Sequence, residues 1–76
     1  MTKRIELTEL ELRMLKANVN GEFFPPEATM DECVAMRSVI TKADELMEEL
    51  DAYDELDSNL MLWFLNKYNE QEKDNN

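Results

Sequence analysis

The apolar positions of this chain recur at helical rather than strand spacing, in three groups. In the first, Leu12, Leu15 and Val19 share one face, with Met14 beside it. The preceding Thr8-Glu9-Leu10-Glu11 has the form of a capping box: the hydroxyl accepts from the backbone at Glu11, and the Glu11 carboxylate reaches back. Leu7 and Leu12 are spaced as a hydrophobic staple across that cap. Asn18, Asn20 and Gly21 supply the stop, Gly21 being free to take positive φ. The first helix is expected at about residues 9–19.

Residues 20–29 are the turn-rich stretch. Pro25 and Pro26 bar helix there and hold Phe24 extended. Of the adjacent Phe23 and Phe24, at least one is expected to plug the end of the core. The competing reading presents a Phe to a partner as an anchor.

Thr29-Met30-Asp31-Glu32 is a second capping box, with Asp31 and Glu32 near the positive end of the helix dipole. At about 100° per residue, with Met36 at zero, Val39, Ile40, Ala43, Leu46, Met47 and Leu50 fall within roughly 80° of it. Continuing this register puts Asp54 at the centre of the apolar stripe and Asp57 inside it. An unpaired carboxylate in a core costs several kcal/mol. The second helix is therefore expected to end near Ala52–Tyr53, with Asp54 capping the next and Glu55 and Asp57 in its first turn. The alternative is one rod from residue 30 to about 70.

The third group is Leu60–Leu65, six apolar residues in succession. A helix with a polar back cannot hold such a run, so it must be covered on more than one side. Leu56, Leu60, Trp63 and Phe64 form its main face, and Met61, Leu62, Leu65 and Tyr68 widen it. Together the three groups predict an all-α fold, a small three-helix bundle with helices at about 9–19, 30–53 and 55–69. Residues 1–69 form one helical domain, followed by a frayed polar tail over 70–76.

Composition supports helices: the 76 residues include one Gly and two Pro. A chain of this length makes one domain with a thin core. Cys33 is the single cysteine, so no intrachain disulfide forms. No signal-like or membrane-spanning apolar segment is present, and the cytoplasm is the expected compartment.

Charge changes the picture more. The formal net charge is -10, and it is not spread evenly. Residues 1–29 carry four basic and five acidic groups, residues 30–57 two and ten, and residues 58–76 two and three. Between Asp44 and Asp57 stand eight acids and no base: Asp44, Glu45, Glu48, Glu49, Asp51, Asp54, Glu55 and Asp57. Such a surface repels nucleic acid and anionic lipid and attracts basic partners.

Several chemistries are excluded. There is no His, hence no Ser-His or Cys-His nucleophile pair. One Gly cannot build a phosphate loop. Cys33 reads as a half-buried small residue at the edge of the second helix's apolar face. Zinc, iron and EF-hand calcium patterns are missing, and no cofactor or resident metal is expected.

The run of acids remains. Glu45, Glu48, Asp51, Asp54 and Asp57 recur every three residues and could hold Mg²⁺ with a phosphate. Such pairs resemble those of the all-helical nucleotide pyrophosphatases. That resemblance would imply Mg²⁺-dependent nucleotide processing by pairs from two facing helices, but here the pairs are consecutive on one segment. The plainest reading is a solvated helix face. A binding reading has two forms. In one, the acidic face meets a protein with a basic surface. Its special case resembles, in composition, the small acidic inhibitors of phages and mobile elements that mimic nucleic acid. Asp44, Glu48, Asp51 and Glu55 would then form a track with charges about 5–6 Å apart. In the other, spare apolar residues of the third helix, Met61, Leu62 and Leu65, dock on a second copy or another protein. The expectation is a non-enzymatic protein-interaction module without catalytic residues, contacting neither nucleic acid nor membrane directly.

Overall fold

Three helices, α1 (Glu9–Val19), α2 (Met30–Leu50) and α3 (Leu60–Asp74), pack pairwise against one another. Single 3-10 turns at Pro25–Glu27 and Tyr53–Glu55 join them. The computed structural model describes residues 4–56 and 59–74, and no strand forms among these. The chain is the all-α three-helix bundle its patterning predicts.

Both capping boxes form. Thr8 Oγ1 accepts from Glu11 N (3.1 Å) while Thr8 N donates to Glu11 Oε1 (2.8 Å). Thr29 and Glu32 make the same reciprocal pair at 3.1 and 2.8 Å. Each satisfies N-terminal amides that the helix itself leaves without partners.

α1 and α2 also stop in the same way. Gly21 N donates to Asn18 O and Glu22 N to Ala17 O, with Gly21 at φ 74°. Asp51 N donates to Glu48 O and Ala52 N to Met47 O, with Asp51 at φ 50°. This is the Schellman arrangement, whose left-handed residue is ordinarily Gly. At the end of α2 an aspartate holds that conformation. α2 therefore ends at Leu50 rather than 53, and Ala52, fully buried, seals the corner. Asp51→Gly is expected to stabilise the fold by about 0.5–1 kcal/mol, because it relieves the left-handed strain and removes a negative charge from the helix's negative end. Urea denaturation of the two proteins measures it.

Asp54 does not cap the third helix. It lies in the Tyr53–Glu55 turn, and Leu56 leaves that turn extended and half-buried against the core. α3 begins at Leu60, where Asn59 Oδ1 accepts from Leu62 N at 3.1 Å. Asp57, expected in the first turn, lies outside the described residues. α3 also continues to Asp74, past the expected end at Asn69, so residues 70–74 are helical. The N-terminal segment ties this extension down. Ile5 N donates to Gln71 Oε1 (2.7 Å), Gln71 Nε2 donates to Ile5 O (2.9 Å), and Arg4 pairs with Glu72 (3.1 Å).

Leu15, Val39 and Phe64, one from each helix, are the largest fully buried side chains. Met14, Ala35, Met36, Ala43, Leu46, Met47, Met61 and Trp63 surround them. Phe23 packs on this core, so one of the paired phenylalanines plugs its end; Phe24 is 57% exposed. Ile40, expected in the core stripe, is largely exposed, because it lies at the margin of the arc that α1 and α3 cover.

Candidate interaction site

The acidic segment wraps the C-terminal end of α2. Asp44, Glu45, Glu48 and Glu49 ride its last turns, Asp51 is the left-handed cap, and Asp54 and Glu55 follow in the 3-10 turn. All seven are exposed; Asp57 lies outside the described residues. Glu55 pairs with Lys67 Nζ at 3.0 Å, and the same ammonium stands 5.8 Å from the centre of the Trp63 ring. Among the described residues, the other six make no ion pair.

The electrostatics of this end are adverse. The last turn of α2 carries no basic residue, so Glu48 and Glu49 sit against the negative end of the helix dipole. Asp44 with Glu48 and Glu45 with Glu49 are like-charge pairs at i,i+4. Each such effect is on the order of a few tenths of a kcal/mol, and all have the same sign. The expected track Asp44–Glu48–Asp51–Glu55 is broken. Its helical part ends with Leu50, and Glu55 is turned to Lys67 by the bend.

Glu45 and Glu49 also border a cleft of about 230 Å³ where the N-terminal segment meets α2 and α3. Ile5, Leu46 and Phe64 give it apolar walls, and Arg4, Glu6 and Lys42 complete the lining. Lys42 is already engaged: its Nζ donates to Glu6 O (2.8 Å) and to Glu11 Oε1 (3.0 Å).

Among the described residues, Glu11 is the buried charge. Beyond its cap it accepts from Ser38 Oγ and Lys42 Nζ, both on α2. Burial pushes its carboxyl up, but the bonds from Ser38, the Thr8 amide and Lys42, with the Lys42 charge, outweigh that and hold it at about 2. The sequence carries a signal for this. With Leu15 at zero, Glu11 lies about 40° away, inside the apolar arc of α1. A carboxylate placed there has to be partnered from another element.

The apolar alternative fares differently. Met61 is buried in the core, because it shares a face with Phe64 and Leu65. Leu65 is half-buried and packed on the same core; Leu62 is exposed. α3 therefore offers one free apolar side chain, not a patch. Larger apolar exposure lies on α2, at Met30, Val34 and Ile40.

Cys33 is half-buried on α2. Among the described residues, no three His, Cys, Asp or Glu side chains converge as a metal site, and no helix is long and apolar enough to cross a membrane. No family model matches the chain, and neither a curated protein nor a solved structure matches it.

Proposed function

We propose that this chain is a non-enzymatic interaction module of the cytoplasm that binds a basic protein surface through the acidic end of α2 and the turn after it. One observation carries the reading: six exposed carboxylates crowd the negative end of a helix, and among the described residues none of them has an ion-pair partner. Small domains more often intersperse the two signs. A partner's Lys and Arg side chains would supply the missing compensation, and the net charge of -10 would speed their encounter.

The test couples binding to stability. Glu48→Lys, alone and with Asp51→Lys, removes repulsion and complements the helix dipole. Glu48→Lys is expected to melt a few degrees higher than the parent. The double variant is expected to melt no higher than that, because lysine fits the left-handed position 51 less well than aspartate. Both are expected to lose the basic partners that the parent retains in a pull-down at low salt. Gain of stability with loss of binding marks residues kept for recognition. An unchanged partner set in both variants overturns the proposal. Displacement of a retained partner by duplex DNA would narrow it to nucleic-acid mimicry.

A further inference from the structure

We propose that the outward face of α2 is a docking seam for one helical segment of a partner protein, apolar at one end and basic at the other. This deepens the acidic-surface reading and rests on it. Met30, Val34, Arg37, Thr41, Asp44 and Glu48 follow one another at alternating spacings of four and three residues. That is the spacing of the contact line of a coiled coil. All six lie within about 40° of one line along the helix and all are exposed. The opposite face, with Met36, Val39 and Ala43 among others, fills the core. Among the described residues, none therefore covers the line.

The seam has two chemically distinct ends about 27 Å apart. At the N-terminal end, Met30 is 78% and Val34 60% exposed, and Ile40 flanks the line further on. At the C-terminal end, Asp44 and Glu48 occupy the same line, with Glu45 and Glu49 beside them. A second copy fits neither way. In parallel register it sets acids against acids. In antiparallel register it sets Met30 and Val34 against Glu48 and Asp44, and each chain brings a charge of -10. The complement is a helix with Leu, Ile, Val or Met at one end of its seam and Lys or Arg at the other.

The experiment uses the full chain and labelled helical peptides of about 21 residues, read by fluorescence anisotropy across a salt series. Two peptides carry Leu in one half of the seam and Lys or Arg in the other, one for each chain direction. A third has the same composition with the two types interleaved. One of the block peptides is expected to bind at least about tenfold tighter than the interleaved one. Val34→Lys is expected to lose about tenfold for that peptide and leave the salt slope unchanged, whereas Glu48→Lys lowers both affinity and slope. Equal binding of block and interleaved peptides, or an indifferent Val34→Lys, overturns the seam and leaves the acidic-surface reading standing. Indifference to Glu48→Lys as well overturns both. Self-association of the chain abolished by Val34→Lys would name a second copy as the occupant and overturn the proposal. Val34 is exposed, so the variant is expected to keep the parent's circular dichroism and melting curve.

Discussion

Glu11→Ala is expected to remove on the order of 3 kcal/mol of stability at neutral pH. The carboxylate is almost fully buried and accepts from the Thr8 amide, Ser38 Oγ and Lys42 Nζ. Truncation opens the α1 capping box and leaves the Ser38 hydroxyl half-buried without its acceptor. For a domain of this size, whose total stability is typically about 4–11 kcal/mol, the loss is a large fraction. The same carboxylate sets an acid limit. Its value falls from an ordinary 4.5 to about 2 on folding, so between those values the unfolded chain binds the extra proton. Its contribution is complete above pH 4.5 and disappears as pH falls through that window toward 2. Urea denaturation at stepped pH should show the parent losing this increment on acidification and Glu11→Ala lacking it throughout. Glu11→Gln keeps a side-chain oxygen for the cap but loses the Lys42 charge, and is expected to fall between the two.

Phe64→Ala is expected to cost about 3–5 kcal/mol and to leave the fold marginal. Phe64 is 1% exposed, within the Leu60–Leu65 run of α3, a helix that packs against both α1 and α2. Leu62→Ala, two positions away, is the control, with an expected change within about 0.5 kcal/mol because Leu62 is largely exposed. Thermal unfolding of the two variants side by side tests which part of the apolar run is covered. Comparable losses at the two positions would contradict the orientation of α3.

That run shows how far patterning reaches. Six consecutive apolar residues required cover on more than one side, and α3 has it: Met61, Trp63 and Phe64 are buried while Leu60 and Leu65 pack on the core. Patterning did not say which residue would remain outside. Periodicity makes Met61 spare and Ile40 core, yet Met61 is inside and Ile40 outside. A residue near the edge of an apolar arc is assigned by where the neighbouring helices cross, and that information is not local. Trp63 is a related case. Its indole Nε1 is buried, and among the described residues it meets no acceptor, which composition gives no means to foresee.

The acidic site was legible as charge and illegible as shape. Eight acids without a base stand in the chain itself, and their exposure follows from the register of α2. That Glu55 would turn to Lys67 on α3, while the carboxylates before it pair with no cation among the described residues, depends on the bend at Asp51. Aspartate in a left-handed cap gives a weaker signal than glycine, so patterning sets the end of α2 a few residues late and the start of α3 early.

The concentration of negative charge is read directly from the chain, and local patterning establishes the three helices, the two capping boxes and the glycine stop of α1. Each is settled within three or four residues, by hydrogen bonds and dihedral preferences that neighbours along the chain impose. Only the tertiary structure decided that Glu11 would bind Ser38 and Lys42, that Ile5 would clasp Gln71, and that one face of α2 would stay uncovered along its whole length. These pairings join residues far apart in the chain, and helix packing chooses among many positions of similar chemistry.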